Sequence, residues 1–493
     1  LPYNDTIRAR WETALIDSVI AYIRQLDAIV KPTETLYIAV DGVAPFAKIR
    51  QQRARRFKSA VAAAQEAAIV AAARGVPYAP TPRWDTNAIT PGTSFMAALA
   101  TALRTYASSA PSRIVVSPAD VAGEGEQKIM AFLRARKPAD AVVYGLDADL
   151  IVLALWGSAT TPTRIDLFRE ETEFNGAVKT NTLDEEQFLY LDIQHLAAAL
   201  FATHARTDTT QNAFLCDFVG LMNLLGNDFC PHGMTLKVRD NGVEEVLEAY
   251  ARLPESAQPL VDAARARYNV TTLRTLFADW VTTEQAALLR SVVKKLTARV
   301  GGARGSNEER ALAAYQDTPV TWAAESCLVE RIVVPDKEKP QYALRRDWTA
   351  RYDDAALMGA APETAAAAYL DALSWTLAYY AGVDVDLHWY YPWLLPPRQA
   401  TIAQLLETQT TLEPPLTTRR AIKPQEQLAM VLPATSFDLL PRMYARLIHD
   451  HPHAFPVSWD YYSFGRRFMW ECEPQIPLIY PSQIISWIEE LYE

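Results

Sequence analysis

Apolar residues recur at helical spacing from Ile16 to Ile29, which predicts an amphipathic helix. Leu36 to Val40 (LYIAV) is an unbroken apolar run that ends in Asp41 and Gly42. That is the pattern of a buried parallel strand and the loop at its carboxyl end. Ala47 to Ala73 follows without Gly or Pro and predicts one long, Ala- and Arg-rich helix. Two further strand-like runs, Ile114 to Val116 before SPADVAGEGE and Ala141 to Tyr144 before GLDAD, flank a helix-like segment from Gln127 to Arg136. Strands alternating with helices predict an α/β fold on a parallel sheet. Residues 213–228 predict a buried helix ending at Gly226, and residues 243–300 are mostly helical. Gly301, Gly302, Gly305, Ser306 and Asn307 mark a linker. Pro, Trp and Tyr concentrate in the last hundred residues, which predicts a loop-rich region packing aromatics. The expected organisation is a core over 1–245, a helical connector over 246–310, and an aromatic, Pro-rich region over 311–493.

Composition narrows the class. With 493 residues, half of them apolar, the chain can bury cores for two or three domains. Charges interrupt every apolar stretch. The longest, Ala372 to Val383, lies between Asp371 and Asp384 and is far short of a membrane span, so no membrane partner is expected. The four cysteines form no CxxC pair and no signal peptide is visible, which points to a reducing, intracellular compartment without distinguishing nucleus, cytoplasm or virion. A net charge of −10 argues against a nucleic-acid coat protein. It leaves room for an enzyme with a local basic pocket beside an acidic metal site. The chain opens on Leu1, and an N-terminal piece is expected ahead of it.

The candidate chemistry begins with acids at element ends: Asp41 (VDG), Glu124 and Glu126 (GEGE), Asp147 and Asp149 (DAD), and Asp228 (GND). In a parallel sheet the strand carboxyl ends converge on one crevice. The i, i+2 spacing in GEGE and DAD lets two carboxylates in an extended loop face one centre. A lone DAD or GND is usually a cap or a surface residue; four such motifs, each following an apolar run, are a pattern. Two carboxylates about 6 Å apart at an effective dielectric of about 20 repel by roughly 3 kcal/mol, so a cluster of six calls for divalent cations. Oxygen donors without His or Cys favour Mg²⁺ or Mn²⁺. A pair of such ions can activate a water and stabilise the leaving oxygen of a phosphodiester.

Beside Asp41 runs GVAPFAKIRQQRARRFK. Residues 48–58 carry six basic side chains and no acidic one. Lys48, Gln52, Arg55 and Arg56 share one helix face. A charge run is ordinarily a solvated face, but this one starts seven residues after a candidate metal ligand. Its Arg forks suit a terminal phosphate.

These residues resemble the Xrn 5′→3′ exoribonucleases. The similar strings are YIAVDGVAPFAKIRQQRARRF, WDTNAITPGTSFM, ADVAGEGEQKIM, YGLDADLIVLAL and FVGLMNLLGNDFCPHG, then SWTLAYYAGVDVDLHWYYPW, LAMVLPATS and MWECEPQIPLIYPSQIISWIEEL. The resemblance runs from about residue 15 to the end of the chain. It implies a PIN/flap-nuclease-like core, with the second conserved region covering the active site. It implies processive release of mononucleotides from single-stranded RNA carrying a 5′ monophosphate, with two Mg²⁺ or Mn²⁺ ions at the six acids. It further implies a 5′-phosphate pocket of Lys48, Gln52, Arg55 and Arg56, and a base-stacking role for Trp389 of HWYYP. Such stacking, worth roughly 1–3 kcal/mol per base, is indifferent to sequence. The family's first motif, a strand with a metal-binding Asp and a stacking His, would precede Leu1. Phe46, Arg50, Gln127 and Leu387 stand where the family carries Arg, Asn, His and Trp. The chain ends soon after the second region, which resembles the compact nuclear branch or a minimal viral or protist form. Those departures keep two alternatives open: a catalytically inactive RNA-binding or assembly subunit of a larger particle, and a DNA flap or 5′ nuclease on the same sheet.

Overall fold

The computed structural model describes residues 5–80, 83–109, 113–145, 147–171, 188–300, 305–332, 341–417 and 419–492. The architecture is mixed α/β, rich in helix, with small sheets. The first half runs α1 (Arg8–Val30), β1 (Leu36–Ala39), α2 (Phe46–Ala73), α3 (Ser94–Ser108), β2 (Ile114–Ser117), α4 (Gly125–Arg136), β3 (Asp140–Tyr144), α5 (Asp149–Thr160), β4 (Arg164–Glu170), β5 (Phe188–Asp192), α6 (Ile193–His204) and α7 (Gln211–Asn223). The apolar runs at 36, 114 and 141 thus form strands, and the uninterrupted Ala-rich stretch forms one helix.

In the first half, among the described residues, the strands form two separate units, each with one parallel pair, rather than one continuous parallel sheet. β1 pairs with β2 in the register Leu36 to Ile114. β3 pairs with β4, and β5 lies antiparallel on β4. Lys128 ties the first unit together at its carboxyl end: its ammonium donates to the carbonyls of Val40 (2.7 Å) and Pro118 (3.0 Å). Gly42 allows the two loops there to touch, since a Cβ would sit 1.8 Å from the Val121 carbonyl oxygen. The helix expected over 213–228 ends earlier, at Asn223, and Gly226 turns the chain with φ of +91°.

The helices of the second half are α8 (Gly242–Ala251), α9 (Val270–Leu296), α10 (Asn307–Gln316), α11 (Thr318–Trp322), α12 (Trp348–Leu357), α13 (Pro362–Ala381), α14 (Gln399–Leu406), α15 (Pro424–Val431), α16 (Ala445–Asp450) and α17 (Pro481–Glu490). Of the expected linker, Gly301 and Gly302 lie outside the described residues, while Ser306 caps α10 in a capping box with Glu309. No described helix is long and apolar enough to cross a membrane. The four cysteines are free thiols.

The cores run across residues 245 and 311. The largest unites α5, α7, α9 and α13. A second joins Phe46 and Ile49 of α2 to residues of α15 and α17. Arg53 pins this second junction. Its guanidinium, fully buried, donates to the carbonyls of Pro477 (3.0 Å), Met430 (2.6 Å) and Ala454, and lies 4.5 Å over the Phe57 ring. Burial pushes it down to about 9. Replacing Arg53 with Met strands three buried carbonyls. The expected loss is about 3 kcal/mol or more in the unfolding free energy from denaturant titration, and a loss below about 1 kcal/mol would contradict this role.

Candidate active site

Each candidate acid sits where an element begins or ends. Asp41 follows β1, and its Oδ1 accepts the Gly125 N–H at 2.7 Å, joining the β1 loop to the start of α4. Glu124 is the N-cap residue of α4 and Glu126 lies in its first turn. Asp149 opens α5, with Asp147 two residues earlier. Asp228 lies in the loop after α7. Three of these carboxylates therefore face helix N-termini, where backbone N–H groups and the helix dipole favour negative charge.

Lys48, in the first turn of α2, joins the acids from different elements. Its ammonium lies 3.0 Å from Glu124 Oε1 and pairs with Asp228. Gln51 donates to Asp228 Oδ1 at 2.6 Å. From α13, the Tyr379 hydroxyl donates to Glu124 Oε2 at 2.8 Å, and Tyr380 reaches Asp149 at 3.5 Å. Burial pushes the Glu124 carboxyl above its ordinary range, against the pull of Lys48. Glu126 is pushed up to about 7 by burial, then by Glu124 and Asp41. Asp149 is raised by burial, with Asp228 and Asp147 adding to it. Burial alone would lower the Lys48 ammonium, but Glu124 and Asp228 hold it above its ordinary value. Glu126 thus feels Glu124 and Asp41, and Asp149 feels Asp228 and Asp147, with the Lys48 ammonium reaching both sets.

The donor set is all oxygen, which suits a hard divalent cation. Glu124 and Glu126, pressed together and pushed toward protonation, give a counter-charge a physical reason to bind. As the side chains stand, no three described acidic, His or Cys groups are drawn together tightly enough to hold an ion. Lys48 supplies the compensating charge between Glu124 and Asp228 instead.

The basic run divides by helix face. Lys48 turns to the acids. Gln52 accepts from Gln427 at 3.2 Å. Arg56 donates to Asn87 Oδ1 at 3.0 Å, while its Nε is buried without a partner. Burial and the neighbouring Arg55 push the Arg56 guanidinium down to about 10. Arg55 itself is exposed. Arg50 and Lys58 point elsewhere, donating to backbone carbonyls of Tyr391 and Pro392, and of Trp470 and Cys472.

Trp389 is half-buried and stacks on Trp375, with ring centroids 5.6 Å apart. Trp375 stacks in turn on Tyr379 at 4.9 Å. An aromatic ladder thus leads from Trp389 to the tyrosine that holds Glu124. Of the divergent positions, Phe46 is buried edge-on to Tyr390, while Leu387 is exposed. Gln51, Tyr379 and Tyr380 were not among the expected site residues. Gln51 is hidden in a run of cations, and the tyrosines read as core in an apolar helix. Their only signal was the YY at the end of SWTLAYY.

Carboxylates at element ends beside a cationic helix define the class as a helix-rich α/β protein with an acidic and basic candidate site. Two family models match the chain: XRN 5'-3' exonuclease N-terminus over residues 3–171 and Xrn1 helical domain over residues 344–493. The chain belongs to the Xrn family. It is 35% identical over 292 residues to 5'-3' exoribonuclease 2 of Schizosaccharomyces pombe, a match over 49% of this chain and 29% of that protein. It is 27% identical over 544 residues to human 5'-3' exoribonuclease 1, covering 99% of this chain and 31% of the relative. The 5'-3' exoribonuclease 2 homolog of Caenorhabditis elegans is 24% identical over 626 residues, covering 98% and 64% respectively. The chain spans less than a third of the length of the first two relatives.

Lys48→Met removes the cation that Glu124 and Asp228 share. Without divalent ions the variant is expected to lose about 3–5 kcal/mol of stability. Mg²⁺ should restore more stability to it than to the parent protein, as read by thermal unfolding in EDTA and in Mg²⁺. Equal Mg²⁺ responses would contradict the compensation.

Proposed function

We propose that the chain is a metal-dependent 5′→3′ exoribonuclease that processively releases mononucleotides from single-stranded RNA carrying a 5′ monophosphate. The observation that carries this reading is the geometry of α2. One helix presents Lys48 to the acids and, two turns on, carries the exposed Arg55 and the Arg56 that donates to Asn87. Eight residues of helix span about 12 Å, and helical side chains lean back toward the N-terminus, shortening the reach between the two sites. A phosphate held by Arg55, Arg56 and Gln52 sets the chain end; the acid cleft then acts on the first phosphodiester inward. The unpartnered, buried Arg56 Nε supports an anion at that pocket.

The acids Asp41, Glu124, Glu126, Asp147, Asp149 and Asp228 would hold the ions, two Mg²⁺ or Mn²⁺. When bound, such ions lower the pKa of an attacking water and offset charge on the leaving 3′ oxygen. Lys48 and Gln51 orient Asp228, and Tyr379 orients Glu124, so that their carboxylates are placed before substrate arrives. Trp389, backed by Trp375, offers one ring face to a base. The two parallel strand pairs are read as parts of one PIN/flap-nuclease-like sheet, covered by the second region.

A second reading, an RNA-binding or assembly subunit without hydrolysis, is favoured by one observation: the Lys48 ammonium lies between acids that would otherwise share an ion. Asp147→Ala is expected to abolish Mg²⁺-dependent decay of 5′-monophosphorylated RNA, and full activity would refute the assignment. Parent protein that binds this RNA yet leaves it intact in both Mg²⁺ and Mn²⁺ would establish the second reading. Arg56→Ala is expected to reduce the preference for 5′-phosphate over 5′-hydroxyl RNA by about ten- to hundredfold. An unchanged ratio would reject the pocket.

A further inference from the structure

A cavity of about 880 Å³ opens between the loop after α7, the C-terminal half of α9 and residues 464–473. Its size is that of a small-molecule site. None of the predicted acids, phosphate-pocket residues or Trp389 lines it. Apolar side chains including Met234, Leu288, Val292 and Phe464 form one wall.

The other wall is charged and out of balance. Six cationic side chains (Lys237, Arg239, Lys294, Lys295, Arg466, Arg467) face four acids (Asp240, Glu325, Glu471, Glu473). Most of the cations are committed. Lys294 pairs with Asp240 at 2.6 Å, Lys295 with Glu325 at 2.7 Å, Arg239 with Glu471, and Arg467 with Asp317 at 2.8 Å. Among the described residues, Lys237 and Arg466 have no acid within ion-pair distance. Lys237 makes no side-chain hydrogen bond. Arg466 donates to the Leu394 carbonyl at 3.2 Å, while its Nε is buried without a partner. Burial pushes the Lys237 ammonium down, Asp240 and Glu325 oppose this, and Arg466 and Arg239 add to it. Two cations that share no acid and repel each other across a half-buried cavity wall favour an anion that joins them. His232, pushed down to about 3 by burial and by Lys237, is neutral there. Its Nδ1 donates to the Gly233 carbonyl at 2.8 Å, which leaves Nε2 as an acceptor for a hydroxyl.

We propose that this cavity is a second, non-catalytic binding site for a nucleoside monophosphate, with the phosphoryl group on Lys237 and Arg466 and the base against the apolar wall. Phosphate geometry suits an Arg fork beside a Lys point charge. The His232 acceptor suits a ribose hydroxyl. The site shares one loop with Asp228, since Asp228 and His232 lie on the chain between Gly226 and Leu236. A bound nucleotide thus braces the loop that carries an acid of the cleft.

The test is calorimetric titration of the full chain with adenosine 5′-monophosphate in EDTA, which keeps metal-dependent binding in the acid cleft out of the measurement. Fluorescence of Trp470, which lines the cavity and is exposed, gives a parallel signal, with Trp470→Phe as its control. Saturable binding is expected. Lys237→Met and Arg466→Gln should each weaken it about ten- to hundredfold, while Asp147→Ala leaves it unchanged. Without ligand, Lys237→Met should unfold at a higher temperature than the parent, because it removes an unpaired desolvated cation; a merely structural lysine would move it the other way. No saturable binding, or binding lost in Asp147→Ala and kept in both cavity variants, would overturn the proposal. Because Asp147→Ala abolishes only the catalytic reading, failure of one idea leaves the other separately judged.

Discussion

Carboxylates from separate elements press on one another here, Glu126 against Glu124 and Asp41, Asp149 against Asp228 and Asp147, and the surrounding groups offset that repulsion. At an effective dielectric of about 20, two carboxylates about 6 Å apart would repel by roughly 3 kcal/mol. Three devices act against it. Helix N-termini receive Glu124, Glu126 and Asp149. Tyrosine hydroxyls from α13 donate to Glu124 and Asp149. Lys48 lies between Glu124 and Asp228. The offset is incomplete, as the raised Glu124 and Glu126 carboxyls show.

The position of Lys48 depends on α2, so α2 is the element on which the cleft relies. The helix works through several faces. Lys48 and Gln51 meet the acids, Arg56 donates to Asn87 beside the exposed Arg55, and Phe46, Ile49 and Arg53 are buried against the C-terminal region. The interior donors of Arg53 hold carbonyls from three separate segments. The aromatic, Pro-rich region therefore packs against and positions the helix that carries the balancing charge. Phe46 fits this arrangement, since a buried aromatic edge-on to Tyr390 extends the same junction.

Much of this was legible in the chain itself. β1, β2 and β3 were visible because a short unbroken apolar run that ends in a Gly- and Asp-bearing loop is too short for a helix and too apolar for a surface loop. α2 was visible because nothing in Ala47 to Ala73 breaks a helix. The acids were visible as short motifs at the ends of strands and helices. What stayed hidden was tertiary. Arg53 is indistinguishable by composition from Arg55, yet one is buried and the other exposed; only the face of α2 that meets α15 separates them. FLYLD at β5 has no alternation to mark a strand. Tyr379 and Tyr380 sit in an apolar helix whose composition argues for core, and their hydroxyls acquire meaning only beside Glu124 and Asp149. The surplus of cations in the cavity at Lys237 and Arg466 arises from segments more than two hundred residues apart.

If the gathered acids exist to share divalent ions beside Lys48, crystals soaked in Mn²⁺ should reveal it by anomalous diffraction. One or two strong manganese peaks are expected, bounded by Glu124, Asp149 and Asp228, with the Lys48 ammonium displaced from the line between Glu124 and Asp228. Manganese confined to the outer surface, with Lys48 still bridging those two carboxylates, would refute the shared-ion cleft.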